Sequence, residues 1–90
     1  MRPLHVRMAR AALNWSVRDL EAKSGVGRNT ISRYEAGKEI VASSLQSIEQ
    51  VLIAQGIVFF EQDSKYGAGV RLKKRKRESS QRHGPLQKIP

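Results

Sequence analysis

Ser16–Gly37, SVRDLEAKSGVGRNTISRYEAG, is the stretch from which the fold can be read. Its 22 residues form a pattern of short helix, glycine turn and second short helix. Ser16 suits an N-cap, where a side-chain oxygen accepts an orphan amide, and Asp19 three residues on completes a capping-box-like pair. Asp19 also places negative charge in the first turn, where the helix dipole favours it. Val17, Leu20 and Ser24 recur at helical spacing and are expected to face inward. Gly25 stands where this helix must stop, because glycine enters the left-handed conformation without steric cost. Val26 can plug the turn into a core. The second helix sends Ile31 and Tyr34 inward and ends at Gly37. Its other face carries Arg28, Asn29, Ser32 and Arg33, whose donors and acceptors suit base edges and phosphates.

In this order and at this spacing, Leu20, Gly25-Val26, Ile31-Ser32-Arg33 and Glu35-Ala36-Gly37 resemble the helix-turn-helix of the phage-repressor-type (Cro/repressor-like, XRE-type) transcriptional regulators. The resemblance runs from about Val6 through Leu72. Related regulators follow a helix ending in AxG with a hairpin of the form VxF…GxGVRL; here Ala54-Gln55-Gly56-Ile57-Val58-Phe59 precedes Gly67-Ala68-Gly69-Val70-Arg71-Leu72. The implied fold is mainly α, a four- to five-helix repressor-like domain followed by a short C-terminal β-hairpin and a disordered basic tail. The expected division is 1–56 for the DNA-binding domain, 57–72 for the hairpin and 73–90 for the tail.

The helix Arg28–Ala36 would then lie in the major groove of double-stranded DNA, N-terminal residues first. Arg28, Asn29, Ser32 and Arg33 are the candidate base contacts, since Asn can grip adenine N6/N7 and Arg guanine O6/N7. Arg28 fits a phosphate equally well. Ser16, Arg18, Thr30 and Lys38 are the candidate phosphate contacts, with Thr30 and Ser32 also able to meet a thymine methyl. In the resembled family an Arg in the first helix often pairs with a Glu near the end of the recognition helix. Here those residues are Arg10 and Glu35. The pair would join two helices; a DNA contact by Arg10 is the other reading. Three positions depart from the family pattern. Val17 replaces a phosphate-bonding Gln, Glu21 replaces Ala at a close helix approach, and Gly27 replaces a hydroxyl cap. Glu21 implies either a wider crossing or a stem that snorkels outward.

Ninety residues argue for one small domain, and a folded part of 60–70 residues buries only about 60% of its unfolded surface, which leaves stability marginal. Self-association is one remedy. With no Cys there is neither a disulfide nor a Cys-based zinc site, and His5 and His83 have no ligand-spaced partner, so no metal or cofactor is expected. No apolar run spans a bilayer and MRPLHVRMAR lacks a signal-peptide core, so the expected location is cytoplasmic, nucleoid-associated, in a prokaryote or phage. An enzyme is not expected: there is no Ser/His/Asp set, no Cys nucleophile and no paired carboxylates. The net charge is +9, but residues 71–90 hold eight Lys/Arg against one Glu, while residues 1–70 hold nine against seven Asp/Glu. The excess therefore sits in the tail, Arg71, Lys73, Lys74, Arg75, Lys76 and Arg77 above all, and draws the chain toward polyanions of any sequence.

Elsewhere the chain reads simply. Residues 1–5 are expected to fray. Leu4–Leu13 follows a helical stripe through Val6, Ala9-Arg10 and Leu13, and Asn14 suits a left-handed cap. Trp15 reads as core, with a ligand contact as the alternative. A loop from Lys38 leads to a helix over Ser43–Gln55, with Ser43 as N-cap and Leu45, Ile48, Val51 and Leu52 as its apolar stripe. Ile57–Glu61 and Ala68–Leu72 read as paired strands around a turn at Asp63–Gly67. Ile57 and Phe59 point one way. Val58 and Phe60 point the other, either into local core or onto a second subunit. The GxGV segment is no phosphate loop, since no helix follows it. The tail reads as a DNA-tracking arm or as a solubilising end.

The resulting expectation is a sequence-specific double-stranded DNA binder that regulates transcription, with a homodimer as one assembly. Two rivals stand beside it. One is an antitoxin or adaptor that binds a toxin-like partner protein and represses its own operon. The other is a non-specific nucleic-acid binder working through the tail.

Overall fold

The computed structural model describes residues 1–74. Its elements are α1 (Pro3–Leu13), α2 (Val17–Ser24), α3 (Arg28–Glu35), α4 (Ala42–Ala54), β1 (Ile57–Phe60) and β2 (Gly69–Leu72). There are four helices among the described residues, followed by one antiparallel hairpin. The tail residues Arg75, Lys76 and Arg77, and His83, lie outside the described residues.

Each helix starts and stops for a local reason. In α2 the Asp19 amide donates to Ser16 Oγ at 3.0 Å, and the Ser16 amide donates to Asp19 Oδ2 at 2.8 Å. Two orphan donors are thereby satisfied reciprocally. Gly25, at φ 76°, turns the chain out of α2, with its amide donating to Glu21 O. Asn14 takes the same left-handed conformation at φ 58° and closes α1. The start of α4 differs from the sequence reading. Val41, not Ser43, is the N-cap, and Ala42 is already helical. The Val41 carbonyl accepts from the amides of Ser44 and Leu45, so the turn into the helix is complete before Ser43 could cap it.

The core gathers one stripe from every helix. Val6 and Ala9 of α1, Leu20 of α2, Val26 of the turn, Ile31 and Tyr34 of α3, Ile48 and Leu52 of α4, and Ile57 of β1 form one buried cluster. Leu20, Ile31, Ile48 and Leu52 are fully buried, each stabilising the fold by about 1.5–3 kcal/mol relative to exposure. Trp15, Val17, Leu45, Val51, Phe59 and Val70 are half-buried against this cluster. Trp15 is thus a flanking wall of the core.

Strand β1 pairs with β2 in the register Ile57↔Leu72, Val58↔Arg71, Phe59↔Val70 and Phe60↔Gly69. The turn between them is shaped by Asp63, whose Oδ1 accepts from the amides of Lys65 and Tyr66 at 2.8 and 2.7 Å. A two-stranded hairpin is marginal in water unless it packs on something. Here β2 lies against α1 and β1 against α4.

The N-terminus corrects the expectation of fraying. Pro3 opens α1, where its missing amide costs nothing. His5 is fully buried. Its Nδ1 accepts from the Arg2 amide at 2.9 Å, and its Nε2 lies 2.7 Å from Phe60 O, so the ring proton belongs on Nε2. The ring also meets Phe59 edge-on at 5.3 Å. Arg2 Nε adds a bond to Glu61 Oε1 at 3.0 Å, and Tyr34 Oη donates to Met1 O. The first five residues are therefore clasped to the hairpin and to α3.

Candidate nucleic-acid interface

Helix α3 is amphipathic over its eight residues. Ile31, Tyr34 and Glu35 are buried, which fixes the rotation of the helix about its axis. Arg28, Asn29, Ser32 and Arg33 are consequently exposed together on the opposite face. No hydrogen bond or ion pair among the described residues engages these four side chains. They are free to meet a ligand without first breaking an internal contact.

The buried end of α3 is locked by charge. Arg10 Nε donates to Glu35 Oε2 at 2.7 Å and Arg10 Nη2 to Glu35 Oε1 at 2.8 Å, a bidentate pair. Arg10 Nη1 also donates to Trp15 O, and Arg7 Nη1 to Glu35 O. Side-chain exposure is 20% for Arg10 and 10% for Glu35, so the pair is largely withdrawn from water. Its hydrogen bonding raises the Arg10 pKa above the ordinary arginine value. A guanidinium held this way braces α1 against α3.

The candidate phosphate contacts are spread around this face. Thr30 and Arg33 line a cleft of about 460 Å³ with Glu39, Ile40, Val41 and Ser44. Lys38 is exposed and its amide donates to Arg33 O, which folds the loop back along α3. Ser16 and Arg18 are exposed at the start of α2, and the Ser16 oxygen is already accepting from Asp19. Arg71, Lys73 and Lys74 do not join this face. They line a separate groove with Val58, Phe60 and Leu72 on the outside of the hairpin.

Two carboxylates near α3 escaped the site reading. Glu39 stands in the cleft beside Arg33, where it opposes phosphate and suits a donor such as cytosine N4. Glu21 is half-buried and its carboxylate, at the solvent-exposed end, accepts from the Arg28 amide at 3.1 Å. The signal was available in Gly27, a cap without a side chain, followed at once by a cation. Among the described residues no helix is long and apolar enough to cross a membrane, and no His, Cys, Asp or Glu cluster is placed to hold a metal ion.

Comparison with known proteins agrees with this geometry. The helix-turn-helix family model matches residues 6–53, from α1 to the end of α4, and leaves the hairpin outside the match. No curated protein matches the chain significantly. A match over more than half of the chain, on a fold whose second and third helices carry the motif, is sufficient: the chain belongs to the Cro/repressor-like, XRE-type helix-turn-helix family of DNA-binding transcriptional regulators.

Proposed function

We propose that this protein binds specific double-stranded DNA sequences by laying α3 in the major groove. The observation that carries this reading is the solvent-facing set Arg28, Asn29, Ser32 and Arg33 on one face of a helix whose other face is locked by Ile31, Tyr34 and Glu35. Arg33 and Asn29 lie one turn apart and read guanine and adenine edges, and Ser32 flanks them. Arg28 enters first and meets either a base or a phosphate. Ser16, Arg18, Thr30 and Lys38 hold the flanking phosphates, which fix register without reading sequence. The Arg10–Glu35 pair keeps α3 at a constant angle. With DNA as ligand, the working location is the nucleoid of a prokaryotic or phage-infected cell.

A second reading concerns assembly. Phe60 is 45% exposed, and with the half-buried Val58 on the same side of β1 it leaves apolar surface on the outer hairpin face. Such a face supports either a homodimer or a toxin-like partner protein. A homodimer would read a palindrome with half-sites about one helical turn apart.

Retention from a randomised duplex pool, followed by sequencing, tests the proposal. One enriched motif supports it, and a palindrome adds the dimer. Uniform retention of all sequences would replace it with non-specific binding through Arg71, Lys73, Lys74 and the tail beyond them.

A further inference from the structure

We propose that Glu21 is a positioning residue for DNA reading: from α2 it caps the recognition helix and so fixes the turn that presents Arg28 and Asn29. This role rests on the DNA reading proposed above. The start of α3 has no cap of its own. Gly27 occupies the N-cap position without a side chain, the first turn holds no acidic residue, and the first helical residue is the cation Arg28. The positive end of the helix dipole therefore has nothing local to offset it. Glu21 supplies what is missing, with its Oε2 accepting from the Arg28 amide seven residues ahead.

The same residue also closes the helix before the turn. The Gly25 amide donates to Glu21 O at 2.8 Å, the bond that ends α2. The main chain of Glu21 thus terminates α2 while its side chain initiates α3. One residue sets both boundaries of the turn, and with them the relation of the two helices. Loss of the side-chain acceptor frees the first turn of α3 to fray. Phosphate contacts through Arg18 or Lys38 tolerate fraying, because they need only charge. Base reading does not, since the ordering cost must then be met on the cognate site alone. Glu21 therefore acts on specificity more than on affinity.

The test uses the full chain as wild type, Glu21→Ala, Glu21→Gln and the double variant Glu21→Ala/Gly27→Ser. A Cβ at Gly27 meets nothing within 4 Å and the backbone there is at φ −60°, so serine fits and offers a substitute cap. Two quantities are read: hydrogen exchange at the Arg28 amide, and the ratio of affinities for the selected duplex and a random duplex at equal salt. Glu21→Ala should speed exchange and lower the ratio about fivefold, the worth of one cap, whereas Glu21→Gln and the double variant should stay within about twofold of wild type. An unchanged ratio in Glu21→Ala, an equal loss in Glu21→Gln, or no recovery from Gly27→Ser would overturn the role. If even the wild type prefers no duplex, the DNA reading fails by itself. Arg28 exchange then still decides the cap, and unchanged exchange in Glu21→Ala overturns it.

Discussion

The helix-turn-helix half of this chain and its hairpin half are held by different physics. Among the helices, apolar side chains from all four elements and the turn meet at one centre, and a bidentate Arg10–Glu35 pair closes the joint between α1 and α3. The hairpin contributes one buried apolar residue, Ile57, with Phe59 and Val70 half-buried beside it, and its tie to the N-terminus is polar: His5 to Phe60 O and Arg2 to Glu61. Non-directional burial makes a unit that opens as a whole. Less burial, supplemented by a few directional bonds, makes an element that can open alone. The part that carries α3 is the one built chiefly on burial, and the part left with apolar surface to share is the one that leans more on a polar clasp.

The largest effect should come from stranding a charge. Glu35→Ala leaves Arg10 largely buried without its partner and should lower stability by about 3 kcal/mol, measured by urea unfolding, with the helices lost cooperatively. Arg10→Met combined with Glu35→Leu should recover most of that loss. Harmless single changes would mean that the pair does not brace the helices.

His5→Ala comes next. It removes a fully buried ring and leaves the Arg2 amide and the Phe60 carbonyl without their partner, a loss of about 2–3 kcal/mol. The comparison predicts where this loss appears. Amides of β1 and β2 should exchange faster while those of α2 and α3 keep their protection. Equal acceleration everywhere would show that hairpin and helices are one cooperative unit.

Arg33→Ala sharpens the comparison from the other side. Its side chain is exposed and makes no hydrogen bond or ion pair among the described residues, so unfolding should change by less than about 0.5 kcal/mol, while affinity for a cognate duplex falls by about 1–3 kcal/mol. Equal losses on cognate and random DNA would count against base reading.

The smallest effect is acid lability of the hairpin. The hydrogen bond from Arg2 holds the Glu61 carboxyl below its ordinary range, and the backbone amides of Tyr66 and Lys65 do the same for Asp63. A carboxyl depressed in the folded state stabilises it above the ordinary value and loses that contribution as pH falls through the depressed one. Both groups are exposed, so the contribution is small. In an acid titration below about pH 4.5, the Lys65 and Tyr66 amide signals should shift before those of the helices. Helical signals moving first would contradict the assignment.

The same division governs what the sequence discloses. The helix-turn-helix was legible because its determinants are local: Ser16 with Asp19, Gly25, and the inward spacing of Leu20, Ile31 and Tyr34 each act within a few residues. The outward set on α3 follows once the inward set is known. The clasp was not legible, because it joins residues far apart in the chain. Nothing near His5 announces Phe60, 55 residues on, and nothing near Arg2 announces Glu61, 59 residues on. Without those partners the first five residues look like a fraying end. Ser43 misled for a related reason, since cap propensity cannot register a turn that closes two residues earlier at Val41.

The central claim is that the exposed face of α3 reads bases. Its most direct test is to repeat the selection from a randomised duplex pool with wild type and Arg33→Ala in parallel. The account predicts one motif for the wild type and the same motif, relaxed at a single base pair, for the variant. An unaltered motif, or a variant that loses all sequences alike, would contradict it.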